Sequence, residues 1–106
     1  MQEITVLELK RKLEEKEPIL LIDVRELEER AVSHIGGLHL PLSSLTTKIW
    51  DLEEYKDTEI VIYCRSGARS ANAVGFFMQM GFQKVSNLKG GMKAWKSEID
   101  PTIDVA

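Results

Sequence analysis

The stretch IVIYCRSGARS, residues 60–70, joins an apolar run to a loop that contains Cys64, the one cysteine of the chain. A helical pattern follows the loop, so the sequence predicts Cys64 at a turn from a strand into a helix. Such a turn directs several backbone N–H groups towards one point, and the helix dipole adds partial positive charge there. Arg65 and Arg69 add two full charges. Because helix N-termini and cations lower cysteine pKa values from about 8.5 to roughly 3.5–7.5, Cys64 is a candidate nucleophile beside an anion site.

Two continuous apolar runs predict the centre of the fold. Residues 19–22 and 60–63 show no polar alternation, which is typical of strands in a parallel sheet that helices cover on both faces. Two weaker strands are predicted at residues 38–42 and 84–88 from their composition and flanking turn residues. The four segments are spaced widely enough for a helix to connect each pair.

Helical patterns lie between these strands. The first helix begins after Thr5, which forms a predicted capping box with Glu8, and it extends to about Glu15. Further helices are predicted at residues 27–30, 44–52 and 70–80, and after Gly90 and Gly91. This order predicts an α/β fold with an open, mainly parallel sheet of about five strands and helices on both faces. Ligands of such sheets bind at the carboxyl ends of strands, and Cys64 follows such an end.

Length and composition favour one globular domain. The 106 residues predict a single domain over residues 1–106, with a core at about 4–97 and a loosely attached tail at 99–106. Hydrophobic residues make up 43% of the chain and charged residues 29%, which excludes a disordered chain. The net charge of -3 argues against nucleic acid as the main partner.

Cysteine usage and the absence of targeting signals point to the cytoplasm. No stretch of the sequence approaches the roughly 20 apolar residues of a membrane helix, and the N-terminal MQEI has neither the basic nor the apolar region of an export signal. We therefore expect a cytoplasmic protein without a membrane partner. One cysteine and two histidines form a poor zinc ligand set, so no metal is expected and Cys64 is expected to be a free thiol.

Three motifs follow one another along the chain: LIDVRE at residues 21–26, CRSGARS at 64–70 and LKGGMKAW at 88–95. Together they resemble the single-domain rhodaneses over roughly residues 4–97. The resemblance implies a sulfurtransferase that needs no cofactor and takes sulfane sulfur from a small anionic donor such as thiosulfate. Cys64 would carry this sulfur as a persulfide and pass it to cyanide or to a cellular thiol.

The candidate substrate-binding residues are the rest of the loop, namely Arg65, Ser66, Gly67, Ala68, Arg69 and Ser70. Their backbone amides are expected to form a concave nest for an anion, and Gly67 permits the tightest part of the curl. A guanidinium can pair bidentately with sulfonate oxygens, which we expect of Arg69, whereas Arg65 is expected to face solvent. Ser66 and Ser70 either donate hydrogen bonds to the bound sulfur or cap the helix, and capping is the favoured role of Ser70.

Residues outside the loop are expected to support it. Asp23 closes an apolar strand, where an unpaired carboxylate is costly, so it is expected to pair with an arginine or to cap loop amides near the site. The acidic residues Glu26, Glu28 and Glu29 predict a solvated helix face. Trp50 is expected to anchor an amphipathic helix.

Other functions remain open at this point. Cysteine phosphatases and arsenate reductases also hold a thiolate among amides, but they place an arginine at the sixth position after the cysteine, where this chain has Ser70, with Arg69 at the fifth. The shorter loop favours sulfur transfer. A non-catalytic rhodanese-like interaction module has no need of the cysteine that this loop retains. A sulfur relay that requires a protein thiol as donor or acceptor is indistinguishable by sequence from an enzyme that acts on small molecules.

Overall fold

Parallel strands form the centre of the molecule. In the computed structural model, which describes residues 2–106, they are β1 (Glu3–Ile4), β2 (Ile19–Asp23), β3 (Leu38–His39), β4 (Glu59–Tyr63) and β5 (Val85–Leu88). They pair in the order β1-β5-β4-β2-β3, and every pair is parallel. This confirms the predicted open parallel sheet. The two apolar runs are neighbouring strands, β2 and β4.

Helices connect the strands and cover the sheet. They are α1 (Val6–Glu14), α2 (Leu27–Val32), α3 (Leu45–Lys48), α4 (Ala68–Gln79) and α5 (Gly91–Glu98). The capping box of α1 is confirmed, because Glu8 N–H donates to Thr5 Oγ1 at 3.1 Å and Thr5 N–H donates to the Glu8 side chain at 3.3 Å. Within the described residues, no helix is both long and apolar enough to cross a membrane.

Alternating residues along β4 and at Cys64, which follows it, contribute to the two layers of the core. Ile60, Ile62 and Cys64 pack with residues of α3 and α4 on one face of the sheet, whereas Val61 and Tyr63 pack with residues of α1 and α5 on the other. All five are at most 1% exposed. Side chains of a strand alternate between the two faces. The run therefore lacks polar alternation because helices bury both faces, as the sequence predicts.

The short edge strands differ from expectation. β1 was not predicted, because two residues carry no readable period; it pairs with β5 through Glu3 opposite Asn87 and Ile4 opposite Leu88. The strand predicted at 38–42 is shorter, since β3 ends at His39. Pro41 follows, and proline has no N–H with which to continue a ladder.

The helix predicted at 44–52 is interrupted. The 3-10 turns Leu42–Ser44 and Ile49–Tyr55 lie on either side of α3, which has four residues. Leu45, Ile49 and Leu52 of this segment are buried. The prediction that Trp50 anchors this segment is wrong, because its side chain is 62% exposed.

The C-terminal segment is packed, and not loosely attached as predicted. Ile99, Ile103 and Val105 pack against the layer that contains α1 and α5. Lys96 Nζ donates to the Ile103 carbonyl at 2.5 Å, and the Ser33 hydroxyl donates to the Asp104 carbonyl. The sequence signal that could have indicated this is the spacing of three apolar residues beyond the last helix.

Candidate active site

Cys64 is the first residue after β4, at the carboxyl edge of the sheet, and it is 1% exposed. Its Sγ accepts the backbone N–H of Gly67 at 3.1 Å and that of Ser70 at 3.4 Å, and it lies 3.2 Å from Ser70 Oγ. Gly67 has a φ of +113°, in the left-handed region that favours glycine, and it is the N-cap of α4. The loop therefore curls around one sulfur atom.

Two opposing effects set the pKa of the Cys64 thiol. Burial raises the pKa because a thiolate loses hydration, whereas hydrogen bonds from the Ser70 side chain and from the backbone N–H groups of Ser70, Gly67 and Ser66 lower it. The hydrogen bonds prevail, so that the pKa of Cys64 lies below its usual value. The directed donors favour the thiolate over the thiol in a buried setting, which suits a nucleophile.

Asn87 belongs to the site and was missed by sequence reasoning. It lies on β5, opposite Ile62 of β4, and is 4% exposed. Its Nδ2 donates to the Gly67 carbonyl at 3.1 Å, and its Oδ1 is 2.5 Å from Ser70 Oγ. One signal could have found it, because an asparagine in a short strand predicted to lie within the sheet requires a polar partner when it is buried.

The expectation that Ser70 caps the helix is wrong. Gly67 is the N-cap, no side chain caps this end of α4, and Ser70 is the third residue of the helix. Its fully buried hydroxyl contacts Cys64, Asn87 and the Gly67 carbonyl instead. Ser66 and Ala68 are exposed at the surface of the loop. Ser66 thus faces the sulfur through its backbone N–H.

The two loop arginines have different partners. Arg69 forms a bidentate ion pair with Glu29 of α2, with 2.6 Å from Nη1 to Oε1 and 2.7 Å from Nη2 to Oε2. This hydrogen bonding outweighs partial burial and lowers the pKa of Glu29 to about 2. Glu29 is therefore not part of a solvated face as predicted, although Glu26 and Glu28 are exposed. Arg65 is exposed, as expected, and its Nε donates to the Ala106 carbonyl at 2.8 Å.

Asp23 pairs with arginine, which was one of the two roles expected of it. Arg25 donates to Asp23 through its backbone N–H, Nε and Nη2, each at 3.0 Å, and Arg30 Nη1 donates to Asp23 Oδ2 at 3.1 Å. Burial raises the pKa of Asp23, but the hydrogen bonds from the arginines lower it by more, so that the pKa of Asp23 lies below its usual value. Asp23 and Arg25 are fully buried. This cluster ties α2, which carries Glu29, to the end of β2.

The first turn of α5 holds the loop from another side. Met92 N–H donates to the Cys64 carbonyl and Lys93 N–H donates to the Arg65 carbonyl, both at 2.9 Å. Gly91 has a φ of +56°, and a Cβ there would collide with the Cys64 carbonyl. The glycine pair was predicted as a turn, but its close approach to the cysteine was not.

The site is a small cradle. Two surface cavities, of about 610 and 340 Å³, include none of residues 64–70 in their lining. The larger one lies at the opposite, amino edge of the sheet, among residues such as Glu17, Thr58 and Lys84. Within the described chain, no three His, Cys, Asp or Glu side chains come together as metal ligands. The donors around Cys64 fit a small anion or one protruding sulfur atom.

Known proteins resemble this chain in sequence and in fold. The family model of the rhodanese-like domain matches residues 5–98. The chain is 41% identical to a putative sulfurtransferase, YtwF, of Bacillus subtilis over 95% of this chain and 96% of that one, and 40% identical to a sulfurtransferase of Allochromatium vinosum over 97% and 95%. A rhodanese-related protein from Thermoplasma volcanium has a similar structure, with a TM-score of 0.80, 28% identity and coverage of 100% and 98%. The chain therefore belongs to the rhodanese-like domain family.

Proposed function

We propose that the protein is a sulfurtransferase that moves sulfane sulfur through a persulfide on Cys64. In the first step, the Cys64 thiolate attacks the outer sulfur of a donor such as thiosulfate. A new S–S bond forms, the bond from the outer sulfur to the sulfonate sulfur breaks, and sulfite leaves with the electron pair. In the second step, cyanide or a cellular thiol attacks the terminal sulfur of the persulfide and regenerates the thiolate.

The observation that carries the proposal is the set of donors on Cys64 Sγ. Two backbone N–H groups and the Ser70 hydroxyl converge on it within 3.4 Å. These donors stabilise the thiolate before the reaction, and donors aimed at a developing sulfur anion also stabilise the persulfide. A binding module without chemistry has no use for a cysteine whose pKa is lowered in this way.

The position of the loop supports an anionic or sulfur-bearing substrate. Residues 64–70 lie at the N-terminus of a twelve-residue helix, α4, whose free N–H groups and dipole favour anions. Arg69 remains the side chain that we propose for anion binding, with its charge shared with Glu29. The names of the two bacterial relatives, a putative sulfurtransferase and a sulfurtransferase, support the same reaction class.

The test is the mass of the intact protein after incubation with thiosulfate and removal of excess reagent. The proposal expects a gain of one sulfur atom, located on Cys64 and removed by cyanide with release of thiocyanate. Cys64→Ser, treated in parallel, is the control and should gain nothing. If neither thiosulfate nor a low-molecular-weight persulfide adds sulfur to Cys64, the proposal fails. Hydrolysis of an aryl phosphate in the same preparation would support the phosphatase alternative.

A further inference from the structure

The charge of Arg69 is already matched before any substrate arrives. Both of its terminal nitrogens contact Glu29, at 2.6 and 2.7 Å, in the parallel arrangement that makes arginine–carboxylate pairs strong. The pair is partly shielded from water, since 36% of the Arg69 side chain and 17% of the Glu29 side chain are exposed. An anion that uses Arg69 therefore competes with a carboxylate already in place.

Glu29 is held in this position by its own helix. It is the third residue of α2, where its Oε1 accepts the backbone N–H of Glu26 at 3.0 Å as part of a capping box. Arg30, the next residue, ties α2 to Asp23 at 3.1 Å and to the Gly37 carbonyl at 2.9 Å. The carboxylate is thus fixed on a braced helix, and its low pKa keeps it charged at neutral pH.

The other loop arginine does not compensate. Arg65 is exposed and directs Nε to the Ala106 carbonyl. A small dianion at the loop would rely on backbone N–H groups and on Arg69, and would meet the negative charge of Glu29 at the same guanidinium. Like charges at close range disfavour binding, and this cost is smaller for a donor that carries fewer negative charges.

We propose that Glu29 is a specificity-determining residue. It disfavours sulfur donors with two negative charges and so favours donors with one negative charge or none, among which persulfides are the natural class. The inference rests on the proposed function of Cys64. With a protonated persulfide, the Cys64 thiolate attacks the terminal sulfur, the S–S bond of the donor breaks, and the donor leaves as a thiolate. Cys64 becomes the protonated persulfide, so that atoms and charge balance.

The experiment compares Glu29→Gln with the unchanged protein on two donors, with cyanide as the acceptor. One donor is thiosulfate, and the other is the methanethiosulfonate anion, which carries its transferable sulfur on a sulfonyl group with one negative charge less. Glutamine keeps the capping role of Glu29, because Glu and Gln both serve at this helix position. Glu28→Gln is the matched control, since it removes the same charge from an exposed neighbour on the same helix.

We expect Glu29→Gln to raise kcat/KM for thiosulfate about tenfold, mainly through a lower KM, as befits a competing charged hydrogen bond. The gain in kcat/KM with methanethiosulfonate should be distinctly smaller. Glu28→Gln should leave kcat/KM unchanged for both donors. Equal gains for both donors, a loss with thiosulfate, or the same effect from Glu28→Gln would overturn the role of Glu29. If Glu29→Gln does not fold, Glu29→Ala is measured against Glu28→Ala with the same expectations.

The same assay separates this inference from the proposed function. If the unchanged protein transfers sulfur from either donor but Glu29→Gln leaves the ratio of the two donors unaltered, only the inference about Glu29 fails. If no variant transfers sulfur from either donor and Cys64 gains none from a low-molecular-weight persulfide either, both fail together.

Discussion

Ser70 Oγ and Asn87 Oδ1 lie 2.5 Å apart, and the same Ser70 oxygen is 3.2 Å from the sulfur of Cys64. A hydroxyl has one proton to donate, so Asn87 and a Cys64 thiolate compete for it. While Ser70 donates to Asn87, its oxygen can accept the proton of the Cys64 thiol. When the thiol ionises, the Ser70 proton can turn to the sulfur. Asn87 cannot reverse its amide freely, because its Nδ2 donates to the Gly67 carbonyl.

Removal of the nucleophile tests the chemistry directly. Cys64→Ser should abolish transfer of sulfur from thiosulfate to cyanide and leave the fold intact, because serine is nearly isosteric but has no accessible anion at neutral pH. Thiocyanate release measures activity, and circular dichroism with thermal melting checks the fold. Residual transfer above a few per cent in a folded variant would contradict a role for Cys64, since the chain has no other cysteine.

Removal of the Ser70 hydroxyl should raise the pKa of Cys64. In the folded protein this pKa is below its usual value, so the thiolate appears at lower pH than in the unfolded chain. Ser70→Ala loses one hydrogen bond to the sulfur, and its thiolate should form only at higher pH. Ultraviolet absorbance of the thiolate as a function of pH gives the midpoint, with Cys64→Ser as the blank. Ser66→Ala is the control, because it keeps its backbone N–H and should not shift the midpoint. An unshifted midpoint in Ser70→Ala would contradict the prediction.

Truncation of Asn87 should cost stability. Asn87→Ala removes the amide hydrogen bond to the Gly67 carbonyl, which still accepts the Ala71 N–H, and it removes the shortest partner of Ser70, at a position that is 4% exposed. Two hydrogen bonds are lost, each with a net contribution of about 0.5–1.5 kcal/mol, so the free energy of unfolding should fall by about 1–3 kcal/mol. Denaturant titration measures it. Asn72→Ala, at an exposed position of α4, is the control and should change little; equal costs at the two sites would refute the assignment.

Two glycines should respond in opposite directions to alanine. Gly91→Ala should destabilise strongly or prevent folding, because φ is +56° and the new Cβ would strike the Cys64 carbonyl. Gly75→Ala should stabilise by about 0.5–1 kcal/mol, because Gly75 lies inside α4 and an added Cβ would meet open space. Thermal melting of both variants measures the change in stability. A Gly91→Ala protein as stable as the parent would show that the loop does not depend on this close approach.

Local pattern determined most of the secondary structure. The continuous apolar runs predict β2 and β4, and the capping box predicts the start of α1, because both signals involve residues close together in the chain. The order of strands and helices then predicts the parallel sheet and places Cys64 at its carboxyl edge. The short strand β1 and the interrupted segment around α3 lack such a signal, since two-residue and four-residue elements carry too little periodicity.

Only the tertiary structure decided what surrounds the loop. Arg69 and Glu29 are 40 residues apart in the chain, and Ser70 and Asn87 are 17 apart. Whether they meet depends on the order of the strands and on the register that sets Asn87 opposite Ile62. No local period encodes those distances, because a period reports which face a side chain occupies and not which side chain lies across from it. The sequence by itself therefore determined the sheet and the candidate nucleophile, whereas the pairing of its charges and hydrogen bonds required the folded chain.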